Sequence, residues 1–147
     1  MIENLWNLSQ KIFYKRYFTP KISDLRQVLS LYNGTDWIKH IHASNNNIVN
    51  HGTYSKILLP YNIGRHNMYL VQWEKNIETA IHGHRENGCI FKVLKGSIAE
   101  NIYSSEDLRF LKRYHHFPGS IKYIDNKIGY HKIINDNNHL SYSLHIY

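Results

Sequence analysis

Short runs of alternating apolar and polar residues fill the last two thirds of the chain. From Tyr54 onward these runs are about five or six residues long and are separated by turn sequences rich in Gly, Pro, Asn and Asp. The runs are YSKILL, MYLVQW, CIFKVL, SIAENIY, SIKYI and YSLHIY. Because side chains alternate between the two faces of a strand, this pattern predicts an antiparallel β unit, either a small barrel or a double-sheet jelly roll.

The first third of the chain has helical spacing instead. Thr19-Pro20 offers a cap followed by a proline at a first helical position, and Asn33-Gly34 ends the apolar periodicity. Between them the apolar residues recur at helical intervals: Ile22, Leu25, Val28 and Leu29. A second helical piece is predicted around 37–41, and the Asn45-Asn46-Asn47 cluster predicts a loop.

The length of 147 residues fits one domain with a single site. We therefore expect a single domain over 1–147. Its N-terminal helical cap is expected over 1–50 and its β-barrel over 51–147.

The charge and hydropathy of the chain limit its partners. The formal net charge is +7, but the cations are dispersed, as in KIFYKRYF and FLKRYHH, and no nucleic-acid-binding signature is present. No apolar run approaches the roughly 20 residues of a membrane span, and the N-terminus lacks the layout of a signal peptide. We expect a cytoplasmic protein with no nucleic-acid or membrane partner.

Two histidines one residue apart stand out in the stretch IHGHRENGCIFKVLKG. On a strand, residues i and i+2 point to the same face, so His82 and His84 would project together and Gly83 would leave the other face uncrowded. Two adjacent imidazoles can share a metal ion. Two polar residues on the exposed face of a strand are the alternative.

The residues around this pair favour the metal site. Cys89 and Gly96 follow at the spacing of a two-histidine barrel motif, and a third histidine, His131, comes shortly after Gly129 in IDNKIGYHKIIN. Three histidines on an inner barrel face would form half of a metal coordination sphere. The remaining histidines lack such spacing and are expected to be solvated: His40, His42, His51, His66, His115, His116 and His139.

The motifs HGHRENGC, IGYHKI and SLHIY resemble those of the cysteine dioxygenases, the thiol dioxygenase branch of the cupins, over roughly Tyr54 to Tyr147. The resemblance implies a mostly β cupin (jelly-roll) barrel with an N-terminal helical cap. It makes His82, His84 and His131 the ligands of a non-haem Fe(II). It also implies oxidation of L-cysteine with O2 to cysteine sulfinic acid. We expect the protein to be a monomer.

Three neutral imidazoles leave the full divalent charge on such an iron, so a thiol would lose its proton and bind as thiolate. Both atoms of dioxygen would then go to sulfur.

The resemblance also assigns roles at the end of the chain. Cys89 lies where many members carry a cysteine joined by a thioether to a tyrosine, which here is Tyr147; the alternative is a small buried hydrophobic residue. In SYSLHIY, Ser143, His145 and Tyr147 share one face, and in the family they form a hydrogen-bond chain to the iron site. His145 would orient the Tyr147 hydroxyl. Otherwise the three residues are simply the polar face of a last strand.

The expected carboxylate anchor differs from the family pattern. Members that oxidise cysteine have Tyr-x-Arg before the strand MYLVQW, and ungapped alignment places Tyr54 and Lys56 there. Lysine keeps the charge but loses the planar fork of arginine. Arg65, in the predicted turn IGRHN, is the alternative anchor.

Because Lys56 stands where family members that oxidise cysteine have arginine, other functions stay open. A related small thiol, 3-mercaptopropionate or cysteamine, is the alternative substrate, and a non-catalytic metal-binding cupin is the alternative from another class. Family members generally continue past the tyrosine at which this sequence ends, so we expect the carboxylate of Tyr147 to add a negative charge near the pocket.

Overall fold

The computed structural model describes residues 2–11, 19–43 and 48–147. The helices in these ranges are α1 (Leu5–Lys11), α2 (Arg26–Ser30) and α3 (Ile38–Ala43), and a 3-10 turn (Ile22–Leu25) leads into α2. The strands are β1 (Ile48–Asn50), β2 (Tyr54–Ile63), β3 (His66–Trp73), β4 (Ile77–Glu78), β5 (Cys89–Lys95), β6 (Ile98–Tyr103), β7 (Phe110–His116), β8 (Ile121–Ile124), β9 (Tyr130–Asn135) and β10 (Ser141–Ile146). The loop predicted at Asn45-Asn46-Asn47 lies outside the described ranges.

The strands form two antiparallel sheets. The larger sheet has six strands in the order β1-β2-β3-β10-β5-β8, and the smaller has four in the order β4-β9-β6-β7. The predicted mostly β, double-sheet architecture is therefore confirmed. The first strand, β1, lies within the range 1–50 that was predicted for the helical cap.

Strand β10 separates the two halves of the core. All six of its residues are buried. Tyr142, Leu144 and Ile146 pack in the cluster that includes the helices, whereas Ser143 and His145 point into the space between the sheets. The alternation predicted for SYSLHIY is thus observed, and both of its faces are covered.

The helices cover the outer face of the six-stranded sheet. Leu5 and Leu8 of α1 and Leu29 of α2 are almost fully buried against residues of β2, β3 and β10. The helix predicted to begin at Pro20 begins two residues later, at Ile22. The carbonyl of Pro20 instead accepts a hydrogen bond of 2.7 Å from Nε2 of His66, which ties this segment to β3. No helix in the described ranges is long and apolar enough to cross a membrane.

A buried lysine joins the helical cap to the barrel. Lys92 of β5 is 7% exposed, and its ammonium donates to the carbonyl oxygens of Leu29, at 3.0 Å, and of Tyr32. Leu29 lies in the last turn of α2 and Tyr32 two residues beyond it, so the ammonium adds a donor where the helix ends. Burial lowers the pKa of Lys92, and the carbonyl oxygens compensate part of the lost hydration.

Replacing this lysine by methionine tests the attachment. Lys92→Met keeps the volume of the side chain but removes the donor to the carbonyl of Tyr32 and one of the donors to the carbonyl of Leu29, so the free energy of unfolding should fall by about 1–3 kcal/mol. Urea denaturation measures the change. Lys95→Met, at an exposed position of the same strand, is the control and should stay within about 0.5 kcal/mol of the wild type. Equal stability of the two variants would contradict this role of Lys92.

Candidate metal centre

Three histidine side chains converge at one end of the four-stranded sheet. Nε2 of His131 lies 2.8 Å from Nε2 of His84 and 3.1 Å from Nε2 of His82. The ligand atoms of all three residues lie within 4.8 Å of one another. The structure therefore brings together the three residues predicted as metal ligands.

The backbone determines this convergence. His82 and His131 face each other in an isolated antiparallel bridge, and each amide donates to the other's carbonyl at 2.9 Å. The segment after β4 continues alongside β9, but its pairing register with β9 shifts by one residue between Glu78 and His82. The strand predicted for the His-x-His pair is thus a single bridge followed by irregular backbone, and the two side chains still project to the same site.

Gly83 permits this arrangement. A Cβ at this position would lie 2.5 Å from Oδ1 of Asn126 and 3.0 Å from the ring of Tyr130, so only glycine fits without displacing them. The same Asn126 oxygen accepts a hydrogen bond of 2.8 Å from the backbone amide of His84. The loop before β9 therefore holds the second histidine of the pair in place.

In two of the rings, a hydrogen bond on the side away from the cluster determines which ring nitrogen carries the hydrogen. Nδ1 of His82 lies 3.0 Å from the carbonyl oxygen of Ala80, and Nδ1 of His131 lies 2.7 Å from Oε1 of Glu100. A carbonyl or a carboxylate can only accept, so both Nδ1 atoms carry hydrogen. In the neutral rings Nε2 is then unprotonated and turns its lone pair toward the cluster.

The electrostatics of the cluster favour neutral imidazoles. Burial is the main cause that lowers the pKa of His82, and for His84 burial together with the neighbouring histidines lowers the pKa to about 3. Unprotonated nitrogens facing each other at about 3 Å suit a cation between them, and imidazole is a ligand of Fe, Zn, Cu and Ni. The donor set therefore fits a divalent transition metal.

Sequence reasoning missed Glu100 and misjudged His116. Glu100 has no exposed surface, and its second oxygen, Oε2, lies 2.8 Å from Nε2 of His116. Burial alone would raise the pKa of Glu100, but the hydrogen bonds from His116 and His131 lower it to about 2. The available signal was the alternation in SIAENIY, which puts Glu100 on the same face as Ile98 and Ile102.

Two of the seven histidines predicted to be solvated are in fact buried. His116 is 7% exposed because it pairs with Glu100, and its ring packs edge-on against Phe91 at 5.2 Å. His66 is 8% exposed because it binds the carbonyl of Pro20. Partners distant in sequence satisfy both rings, and motif spacing cannot reveal them.

A small cavity of about 50 Å³ lies beside the three histidines. Its wall includes Tyr54 and Lys56 of β2, together with His145 and Tyr147 at the end of the chain. Antiparallel pairing of β2 with β3 places Tyr54 opposite Trp73 and Lys56 opposite Val71. The predicted carboxylate anchor, and His145 and Tyr147 of the predicted hydrogen-bond relay, thus border the same space as the metal ligands.

Lys56 brings a positive charge to this cavity. Its Nζ lies 4.0 Å from the ring centre of Tyr69 and 4.1 Å from that of Tyr147, within the range of cation–π attraction. Burial is the main cause that lowers the pKa of Lys56. In the described ranges no carboxylate lies within ion-pair distance of this ammonium.

The alternative anchor, Arg65, occupies a different position. It lies in the turn between β2 and β3 and lines a larger neighbouring cleft of about 740 Å³. This cleft shares His84 and Tyr147 with the small cavity. Lys56 borders the cavity beside all three histidines, whereas Arg65 borders the cleft outside it.

The residues of the last strand form a connected set behind the cavity. The indole Nε1 of Trp73 donates to Oγ of Ser143 at 2.8 Å, and the same oxygen lies 2.8 Å from Nε2 of His145. Nδ1 of His145 lies 3.6 Å from Sγ of Cys89. Both ring nitrogens of His145 therefore contact Ser143 and Cys89, and the expected link to the Tyr147 hydroxyl is not made in this arrangement.

Cys89 and Tyr147 meet at one apolar cluster. Cys89 is 1% exposed and packs with Ile102 and Ile124, and Tyr147 packs against this cluster. Burial is the main cause that raises the pKa of Cys89, so the group is a thiol. The ring of Tyr147 also stacks on Tyr69, with ring centres 5.0 Å apart.

Solved structures with the same architecture are cupins. The cupin domain of Schizosaccharomyces pombe Cnp3 is similar with a TM-score of 0.53, 13% identity, and coverage of 67% of this chain and 62% of that one. Oxalate decarboxylase from Bacillus subtilis is similar with a TM-score of 0.58, 12% identity, and coverage of 69% and 27%. At these identities the likeness establishes the fold, and the predicted cupin fold is confirmed.

Comparison of the sequences identifies the family. Cysteine dioxygenase type 1 of Bos taurus is 25% identical over 100 residues, which are 64% of this chain and 50% of that protein, and the human protein gives the same values. The chain thus spans about half the length of the curated relatives it matches. A family model described as cysteine dioxygenase type I matches residues 10–147. Together with the site geometry, this match shows that the chain belongs to the cysteine dioxygenase type I family.

Proposed function

We propose that this protein is a non-haem iron(II) thiol dioxygenase that oxidises L-cysteine with O2 to cysteine sulfinic acid. The single observation that carries the proposal is a lysine ammonium on the wall of the same small cavity as three convergent histidines, in a member of the cysteine dioxygenase type I family. In such a cavity, a metal held by the histidines would bind the thiol sulfur, and the ammonium would bind the carboxylate of the same small molecule.

The reaction balances without a further reductant. The thiol R–SH and O2 give R–SO2H, so sulfur loses four electrons and dioxygen gains them. Fe(II) held by His82, His84 and His131 would supply the redox chemistry that joins dioxygen to sulfur. The neutral state of the imidazoles would leave the charge of the metal available to an anionic thiolate.

The side chains around the histidines would position the substrate. Lys56 would bind the carboxylate, and no protein carboxylate in the described ranges competes for it. The Tyr147 ring, 6.2 Å from that of His84, would close one side of the reaction space. Val71 and Ile133 would keep water away from the sulfur.

A related small thiol is the second candidate substrate, and Lys56 is the observation that favours it. An ammonium on a flexible stem binds a carboxylate with less directional preference than a guanidinium does. 3-Mercaptopropionate keeps the carboxylate and lacks the amine, whereas cysteamine keeps the amine and lacks the carboxylate. A non-catalytic metal-binding cupin remains the candidate from another class.

The proposal predicts iron and cysteine-dependent oxygen uptake together. The purified protein should contain iron, and His131→Ala should lose most of it because two remaining ligands bind too weakly. Metal analysis and an oxygen electrode, with L-cysteine, 3-mercaptopropionate and cysteamine in parallel, measure both quantities. The sulfinic acid should be identified by mass spectrometry.

The control for ligand removal is His115→Ala, at an exposed position of β7. This variant should keep its iron. Iron without oxygen uptake on any thiol would favour the non-catalytic cupin, and faster turnover of another thiol would replace L-cysteine as the substrate. Full iron in His131→Ala would refute the assignment of the ligands.

The role of Lys56 predicts a change in the Michaelis constant. Lys56→Arg should lower KM for cysteine by about tenfold, since a bidentate contact adds about 1.4 kcal/mol. Lys56→Met should raise it by at least about tenfold, because the charged hydrogen bond is lost. Cysteamine has no carboxylate, so its KM should change little in either variant. Steady-state kinetics on both thiols provides the measurement.

Arg65 is the matched comparison for this experiment. Arg65→Met removes a positive charge from the neighbouring cleft and should leave the KM for cysteine within a few-fold of the wild type. If Arg65→Met abolished cysteine binding while Lys56→Met left it unchanged, the anchor would be Arg65.

The packing of Cys89 and Tyr147 on one apolar cluster supports a thioether cross-link. Both side chains pack on the cluster that contains Ile102 and Ile124. Formation of the bond would join Sγ to a ring carbon and release the thiol hydrogen and one ring hydrogen. This is a two-electron oxidation, for which dioxygen would be the oxidant.

Intact-mass analysis tests the cross-link. After turnover in air, part of the protein should be lighter by two hydrogen atoms, and fragmentation should join the peptides of Cys89 and Tyr147. Cys89→Ser should show no such species. Tyr69→Phe is the control, because it removes the tyrosine stacked on Tyr147, and it should retain the mass loss. Absence of the lighter species in the active wild type would exclude the bond.

The expected monomeric state and cytoplasmic location stay predictions. The single cysteine fits a reducing compartment, since it leaves no internal disulfide to form.

A further inference from the structure

A fully buried carboxylate lies directly behind one of the three histidines. Glu100 has no exposed surface, and both of its oxygens are engaged, Oε1 with Nδ1 of His131 at 2.7 Å and Oε2 with Nε2 of His116 at 2.8 Å. These distances are at the short end of the range for a nitrogen donor and an ionised acceptor. The three side chains form one chain of hydrogen bonds.

The register of the small sheet builds this chain. Strand β6 lies between β9 and β7, with Glu100 opposite Ile133 on one side and Tyr114 on the other. His131 and His116 are each offset by two residues from those partners, so both lie on the same sheet face as Glu100, at diagonal positions within reach of a glutamate. Adjacent strands thus hold the carboxylate in place from both sides.

The carboxylate selects one tautomer of His131. Because an ionised carboxylate only accepts, His131 must present Nδ1–H to Glu100 and an unprotonated Nε2 to His82 and His84. The opposite tautomer would place a hydrogen on Nε2, where the metal is expected, and would leave Oε1 of Glu100 buried without a donor.

The charge of Glu100 has no lysine or arginine partner. In the described ranges its ion-pair contacts are the two imidazoles alone. A buried carboxylate is costly unless a positive charge lies nearby. A divalent cation held by His82, His84 and His131 would provide that charge.

We propose that Glu100 is the positioning residue of the three-histidine centre and that His116 anchors it. Glu100 fixes the tautomer and the orientation of His131, and its negative charge, one imidazole away from the metal, favours the oxidised over the reduced ion. The inference rests on the proposed function, which supplies the metal, and it adds residues outside the predicted ligand set.

Two substitutions separate the hydrogen bond from the charge. In Glu100→Gln the amide oxygen can still accept from His131, while the amide NH2 donates to His116 in its other tautomer, so the ring orientation survives and the charge is lost. In Glu100→Ala both are lost. Anaerobic titration with Fe(II), and with Co(II) as a spectroscopic probe, measures the affinity, and redox titration of the iron form measures the reduction potential.

The metal affinity of Glu100→Ala should fall by about 10–100-fold, the usual effect of removing such a partner of a histidine ligand. Glu100→Gln should lose less affinity and show a higher reduction potential than the wild type. Glu78→Gln is the control, since Glu78 is an exposed carboxylate of β4 that pairs with Lys132 at 2.9 Å. It should match the wild type in both measurements.

Thermal unfolding of the metal-free wild type and variants shows whether a substitution at Glu100 merely destabilises the fold. If Glu100→Ala fails to fold, the nearly isosteric Glu100→Gln decides. A reduction potential and an affinity equal to the wild type in this variant would overturn the inference and leave the proposed function intact. A wild-type protein that binds neither metal ion would overturn both.

Discussion

The antiparallel bridge between His82 and His131 is the interaction on which the site depends. Two backbone hydrogen bonds of 2.9 Å join the irregular segment after β4 to β9 and bring the two imidazoles together, with ring centres 4.5 Å apart. The third imidazole follows because Gly83 lets the loop before β9 approach closely enough for Asn126 to hold the backbone of His84. Because β6 holds β9 in register, a substitution that shifted this bridge by one residue would turn His82 away from His131.

Few charged side chains surround the site, and each has a defined position relative to the three histidines. Burial lowers the pKa of His82 and His84, a carboxylate lies behind His131, and an ammonium lies across the cavity at Lys56. In an apolar surrounding such charges act with little screening. A metal ion and a thiol bearing a carboxylate would complement this pattern, since the ion would neutralise Glu100 and the substrate would neutralise Lys56.

The helical cap contributes to the site indirectly. It buries the outer face of the six-stranded sheet, so β10 is covered on both sides and its residues Ser143 and His145 are held rigidly toward the cavity. The contact of Lys92 with the end of α2 fastens this cover. The polar groups of the last strand are therefore positioned by packing on the opposite face as well as by their own hydrogen bonds.

The sequence by itself determined the fold class and the approximate strands, and it predicted the three histidines that the fold brings together. Most of these features are local: the period of two along a strand, the helical spacing before Asn33, and the spacing of His82 and His84 are each read along a single stretch. His131 lies in a separate stretch and was predicted from its own motif and the family resemblance. Tertiary structure alone decided that Glu100 lies behind His131, that His116 is buried beside it, and that His145 contacts Ser143 and Cys89 instead of the Tyr147 hydroxyl. The physical reason is register, because these contacts join strands distant in sequence, and the relative shift of those strands is set by the packing of the whole barrel.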